Sequence, residues 1–167
     1  MKVNALATIA LFGGLVFASS SYSQPAQTGG PTPSPPGAKA EFLDLKDGAV
    51  VGPKTTIHFG LHGMGVAPAG TKKPNTGHFH LLIDTDLPPL DKPIPNDENH
   101  LHFGAGQTET TLTLPTGKHT LQLLLGDASH LPHKPPVYSD PIIANVGLAP
   151  PPPRPVRHHR HFHRQGG

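Results

Sequence analysis

Proline and glycine interrupt this chain so often that only short secondary-structure elements fit between them. The 167 residues include 22 prolines and 19 glycines. Proline inside a helix removes a hydrogen bond and clashes with the preceding turn, and glycine weakens both helices and strands. The runs between these residues alternate apolar and polar side chains, and no window has the length and periodicity of an amphipathic helix. The sequence therefore predicts an all-β domain.

Six runs have the alternation or the composition of β-strands. In residues 55–61, for example, every second side chain is a large apolar one. The other runs are residues 41–45, 78–83, 108–114, 118–125 and 137–146. The turn Pro115-Thr116-Gly117 between two of these runs predicts a hairpin, because glycine suits the positive φ of such a turn. We expect an antiparallel two-sheet sandwich of immunoglobulin-like type with six or seven strands.

The two ends of the chain differ from this central part in composition. Residues 1–23 have the form of a signal peptide: Lys2 is followed by an apolar stretch and then by small residues that suit a cleavage site. Residues 24–39 are predicted to be a disordered Pro/Gly-rich linker, and residues 148–167 a disordered tail that is first Pro-rich and then His/Arg-rich. The domain is expected at residues 40–147, in a protein that is periplasmic or secreted. The apolar stretch is shorter than the ~20 residues of a transmembrane helix, so no transmembrane segment is expected.

Charge and cysteine content exclude several classes of function. The chain has no cysteine, which excludes disulfides, thiolate nucleophiles and thiolate metal sites. All four arginines lie in the tail, whereas residues 39–140 carry eight lysines and eleven acidic residues, a formal charge of −3. The basic pI of about 9.0 therefore describes the tail. We expect no folded nucleic-acid-binding face.

Two H-x-H motifs, His78-Phe79-His80 and His100-Leu101-His102, are the strongest candidates for chemistry. In a strand, residues two apart lie on the same face, with Cα atoms about 6.5 to 7 Å apart, so that two imidazoles can hold one ion. Four imidazoles together satisfy a tetrahedral zinc or a tetragonal copper(II) site. We predict His78, His80, His100 and His102 as metal ligands. The alternative is that they are solvent-facing or hydrogen-bonded polar residues.

Three further histidines are alternate ligands. His119 shares its strand face with three leucines, which favours a hydrogen-bonded core histidine over a ligand. His130 and His133 lie near Asp127 in the loop 126–139, which three prolines stiffen. A rigid loop can hold a binding geometry before its ligand arrives, although a packed crossover between sheets has the same composition.

Several strings resemble a known family of exported bacterial domains. They are H-x-H-L-L-I-D from His78, H-x-H-F-G-x-G-Q-T-E from His100, G-x-H-T-L-Q-L from Gly117 and G-D-x-x-H-x-P-H-x-P-P-V from Gly126. On these strings residues 40–146 are similar to the uncharacterised domain-of-unknown-function family 4399. The resemblance implies an exported domain that carries these histidine motifs, and it implies no activity.

These observations favour a non-enzymatic periplasmic protein that binds copper or zinc through histidines. The chain has no G-x-S-x-G, Walker A, dinucleotide-binding or H-E-x-x-H motif, which argues against the common enzyme classes. Two alternatives stay open. One is a copper or zinc redox enzyme, because copper-zinc superoxide dismutases also carry H-x-H pairs on a β-sandwich. The other is a structural module that docks an envelope partner.

The composition of the tail supports a separate hypothesis, which concerns its charge. Arg154 to Arg164 interleaves four arginines with four histidines, so its positive charge increases as the pH falls through about 6.5. We expect it to bind an anionic envelope surface more strongly in acid. The alternative is an inert solubilising end.

Overall fold

The computed structural model describes residues 31–147, which contain nine β-strands and no helix. The strands are β1 (Lys39–Phe42), β2 (Val50–Val51), β3 (Lys54–His62), β4 (Gly65–Val66), β5 (Thr76–Ile83), β6 (His100–His102), β7 (Glu109–Thr113), β8 (Gly117–Gly126) and β9 (Ile142–Val146). In this part of the chain no helix has the length and apolar character needed to cross a membrane. The predicted signal peptide and tail lie outside the described residues.

The strands form two sheets, which confirms the all-β class, although residues 31–147 contain nine strands where six or seven were predicted. One sheet has the order β1-β3-β7, and the other has the order β2-β9-β8-β5-β4, with β6 also paired to β5. The prediction of a wholly antiparallel arrangement is wrong, because β2 pairs with β9 and β4 pairs with β5 in parallel. Both parallel pairs join only two residues of each strand, too few for an alternating sequence pattern to reveal them. The immunoglobulin-like arrangement stays a prediction.

The predicted hairpin at Pro115-Thr116-Gly117 is also wrong. Strand β7 pairs with β3 in the small sheet, whereas β8 pairs with β5 and β9 in the large one. The burial of the two strands accounts for this separation. Leu112 is the only buried residue of β7, whereas β8 is continuously buried from Leu121 to Gly126. Strand β7 is an edge strand of the small sheet, and β8 is a central strand of the large one. The turn Pro115-Thr116-Gly117 therefore joins two sheets instead of two neighbouring strands.

Strand β5 is buried on both faces, so His78 and His80, which lie in this strand, are buried as well. Its core-facing side chains are Phe79, Leu81 and Ile83. Phe79 packs against Phe59 of the small sheet, with ring centroids 5.2 Å apart. On the opposite face, Leu82 packs with Ile94 from the loop that joins β5 to β6. The predicted alternation along this strand is confirmed, and His78 and His80 lie on the second, loop-covered face of the large sheet.

Part of the predicted linker packs against that loop-covered face. We call residues 31–34 the strap. The backbone N–H and the hydroxyl of Thr32 donate to the carboxylate of Asp127, at 3.1 and 2.7 Å. The backbone N–H of Lys134 donates to the Thr32 carbonyl at 3.0 Å, and that of Ser34 donates to the Lys134 carbonyl at 3.2 Å. The strap therefore runs beside the loop that follows β8.

Candidate metal centre

Three imidazoles meet where β6 joins β5. The register places His80 directly opposite His102, and His78 lies two residues earlier on the same face. One nitrogen from each of these three side chains lies within 4.8 Å of the others. The Nε2 atoms of His78 and His80 are 3.1 Å apart. Two nitrogens bound to one tetrahedral zinc, with bonds of about 2.0 to 2.1 Å, are about 3.3 Å apart. We call His78, His80 and His102 the histidine cluster.

His130 lies over this cluster, although it comes from a different part of the chain. It is in the loop after β8 and has a φ of 65°. Its ring centroid is 4.8 Å from that of His102, 5.0 Å from that of His78 and 6.1 Å from that of His80. Four imidazoles from three segments of the chain are therefore neighbours.

Burial keeps the cluster neutral. The side chains of His78 and His80 have no exposed surface, and that of His102 is half-buried. Desolvation is the main cause that lowers the pKa of His78 to about 4 and that of His80 to about 3, and repulsion from neighbouring imidazoles adds to it. Burial, with His130 nearby, also lowers the pKa of His102. A neutral imidazole has one nitrogen lone pair to offer, which is the form that binds a metal ion.

The cluster also holds nitrogens that nothing in residues 31–147 satisfies. The Nδ1 atoms of His78 and His80 and the Nε2 atom of His102 are buried without a hydrogen-bond partner in this range. A buried polar atom left unpaired costs about 1 to 3 kcal/mol. Folded proteins rarely leave such atoms unpaired. An ion at the cluster is one explanation for the Nε2 atom of His102, whereas an ion bound through the Nε2 atoms of His78 and His80 would leave their Nδ1 atoms unpaired.

Two glycines allow the rings to approach the backbone. A methyl group on Gly126 would lie 3.1 Å from Nε2 of His80 and 3.3 Å from Nε2 of His78. A methyl group on Gly104 would lie 2.7 Å from Nε2 of His102. Neither glycine has a positive φ, so close approach, rather than backbone conformation, is what requires glycine here. Neither glycine was predicted from the sequence as part of the site, although each falls within a string that carries the family resemblance.

His100 and His119 are predicted ligands that the structure places outside the cluster. His100 lies opposite Leu82, and its Nδ1–H donates to Asp97 at 2.8 Å. His119 has acceptors at both ring nitrogens, Asp84 at 2.7 Å and the Pro115 carbonyl at 3.0 Å. The hydrogen bond to Asp84 is the main cause that raises the pKa of His119. Both nitrogens of His119 are therefore engaged as donors in the protonated form.

His133 is buried beside the strap. Its Nδ1–H donates to the Thr32 carbonyl at 3.2 Å. Its Nε2 atom has no partner within residues 31–147 and faces Gly77, where a methyl group would come within 2.8 Å of it. Burial lowers the pKa of His133. It is not one of the three residues whose nitrogens converge.

Comparison with known proteins gives one result. A family model described as "Domain of unknown function (DUF4399)" matches residues 57–147, a range that includes the histidine cluster, His130 and both glycines. Neither the curated proteins nor the solved structures give a significant match.

Proposed function

The chain belongs to the DUF4399 family, which has no assigned function, and we propose that the histidine cluster binds one copper or zinc ion. The observation that carries this proposal is the convergence of three ring nitrogens within 4.8 Å, on two buried side chains and one half-buried one. Desolvation keeps two of these side chains, His78 and His80, neutral far below pH 7. Imidazole suits zinc and copper when a site has no thiolate, and this chain has no cysteine.

The proposed role is metal binding rather than catalysis, in an exported protein. The cluster lies beneath loops on a buried sheet face, which suits retention of an ion more than access by a substrate. The signal-like residues 1–23 support export to the periplasm or beyond the cell. The basic tail is proposed to hold the domain near an anionic surface in acid.

The test is a calorimetric titration of the chain with Zn(II) and Cu(II). The four tail histidines (His158, His159, His161 and His163) are replaced by serine in every sample, because they would bind metal weakly on their own. We expect one ion per chain, bound more tightly than about 10⁻⁵ M. The double variant His78→Ala, His80→Ala should lose at least about a hundredfold in affinity, because even changes to residues that only support a ligand cost 10- to 100-fold.

The matched control replaces two histidines outside the cluster, His62→Ala and His119→Ala. It should leave the affinity within about threefold, because both residues bond to carboxylates instead of to the cluster. Binding no tighter than about 10⁻⁵ M in the parent chain would overturn the proposal. Equal affinity in the two double variants would overturn it as well.

A further inference from the structure

We further propose, on the basis of the metal site above, that His130 is its fourth ligand and that the four imidazoles form a closed tetrahedral cage that prefers zinc to copper(II). The three converging nitrogens come from His78, His80 and His102, and His130 is not among them. Its ring is nevertheless a neighbour of all three, with centroid distances of 5.0, 6.1 and 4.8 Å to His78, His80 and His102.

The distances between ring centres support four-fold coordination. Five of the six distances among these four imidazoles lie between 4.8 and 5.0 Å, and the sixth is 6.1 Å. With a metal–nitrogen bond of about 2.0 to 2.1 Å, ring centres lie about 3.2 Å from the ion and, in a tetrahedral site, about 5.2 Å from one another. The observed set therefore has the size of a tetrahedral four-imidazole site.

The same distances argue against a square-planar site. Four imidazoles in a plane around one ion would have neighbouring centres about 4.5 Å apart and two diagonals of about 6.4 Å. Only the distance between His80 and His130 approaches a diagonal. Zinc forms tetrahedral sites and copper(II) favours tetragonal ones, so the arrangement favours zinc.

The loop that carries His130 is fixed from several sides. The backbone N–H of His130 donates to the Asp127 carbonyl at 3.0 Å, and the His130 carbonyl accepts from the N–H of Ile94 at 2.8 Å. The Asp127 carboxylate accepts from the backbone N–H groups of Ser129 and Leu131, at 2.8 and 3.0 Å. It also accepts both bonds from Thr32 of the strap. The backbone of His130 is thus held in place before an ion arrives, which reduces the entropic cost of recruiting it.

The exposure of the four side chains fits a closing role for His130. His78 and His80 are fully buried, whereas His130 is half-buried. His102 is half-buried as well, so His102 and His130 together form the solvent side of the cluster. With His130 bound, no coordination position stays open to water, which is the arrangement of structural rather than catalytic zinc sites.

The experiment compares the parent chain with His130→Gly, again with serine at the four tail positions. Glycine suits the φ of 65° at this position, so the variant removes the imidazole without straining the loop. His130→Asn is a second variant, because asparagine also tolerates this backbone conformation. Ser129→Ala is the control, since its exposed side chain leaves the backbone bond to Asp127 intact.

Two readouts are used, Zn(II) affinity and the visible spectrum with Co(II), whose tetrahedral complexes absorb much more strongly than five- or six-coordinate ones. We expect a strong tetrahedral spectrum for the parent chain and for Ser129→Ala. His130→Gly and His130→Asn should bind Zn(II) at least about a hundredfold more weakly. Their Co(II) spectrum should change in shape and intensity, because a water molecule takes the place of the fourth imidazole.

Each outcome separates the two proposals. If the parent chain binds neither ion, the metal site itself is wrong, and the role of His130 with it. If the parent chain binds both ions, and the His130 variants keep its affinity and its spectrum, the metal site stands and the fourth ligand is wrong. If Cu(II), titrated into the same variants, binds more tightly than Zn(II) in a tetragonal site that does not involve His130, the preference for zinc is wrong as well.

Discussion

The two H-x-H motifs have the same spacing, but the structure uses them differently. In β5, His78 and His80 both enter the cluster, with their Nε2 atoms 3.1 Å apart. In β6, only His102 joins them, while His100 bonds to Asp97. Spacing within a strand decides which face a side chain takes, and the pairing register then decides which neighbours it meets. Because His102 is opposite His80 and His100 is opposite Leu82, the second motif is divided.

The largest expected effect is on the acid stability of the metal-free protein. The folded-state pKa values of about 4 for His78 and about 3 for His80 lie below the ordinary 6.5. Between pH 6.5 and these values the unfolded chain binds more protons, so stability is present above pH 6.5 and is lost as the pH falls. We expect a loss on the order of 3 kcal/mol or more between pH 7.5 and pH 4.5, measured by urea unfolding.

Two variants extend this comparison to single residues. His80→Leu should reduce the loss of stability in acid, because one of the groups whose pKa is lowered is gone. His78→Leu should reduce this loss as well, because burial lowers the pKa of His78 too. If both variants showed the parent's profile, burial of the first motif would not be the source of the acid sensitivity.

The next largest expected effect is on metal affinity, and it should differ between His100 and His102, the two histidines of the second motif. His102→Ala should weaken Zn(II) binding at least about a hundredfold, because it removes one of the three converging nitrogens. His100→Ala, two residues away in the same strand, should change it by less than about threefold, since Asp97 is its partner. Competition with a chromogenic chelator measures both affinities. Equal losses of affinity in the two variants would mean that His100 and His102 both bind the ion, which would contradict the register that places only His102 opposite His80.

The smallest effect tests the close approach at Gly104. Gly104→Ala should destabilise the fold by about 1 to 3 kcal/mol and weaken Zn(II) binding, because the new methyl group displaces the ring of His102. Gly52→Ala is the matched control, since the nearest atom to its methyl group would be the Lys54 carbonyl oxygen at 3.8 Å. Thermal unfolding with and without Zn(II) compares the two. If Gly104→Ala changed neither the stability nor Zn(II) binding, the ring of His102 would not lie as close to Gly104 as the structure places it.

The sequence predicted the faces of the strands better than their partners. The alternation in residues 78–83 correctly placed Phe79 toward the core and both histidines on the other side. It gave no information about register, so His100 and His102 were treated as equivalent. The hairpin prediction failed for the same reason, because Pro115-Thr116-Gly117 fixes a turn without fixing which sheet receives the next strand. Close approach at Gly126 depends on the pairing of β8 with β5, and no local pattern contains it.

The most direct test of the central claim is NMR of the histidine side chains. Two-bond ¹H–¹⁵N spectra of the ¹⁵N-labelled chain, with serine at the four tail positions, resolve the ring nitrogens of each histidine before and after one equivalent of Zn(II). We predict that His78, His80 and His102 each show one nitrogen shifted to a metal-bound position, while His100 and His119 keep their signals. Equal shifts in His100 and His102, or no shift in His78 and His80, would contradict the account.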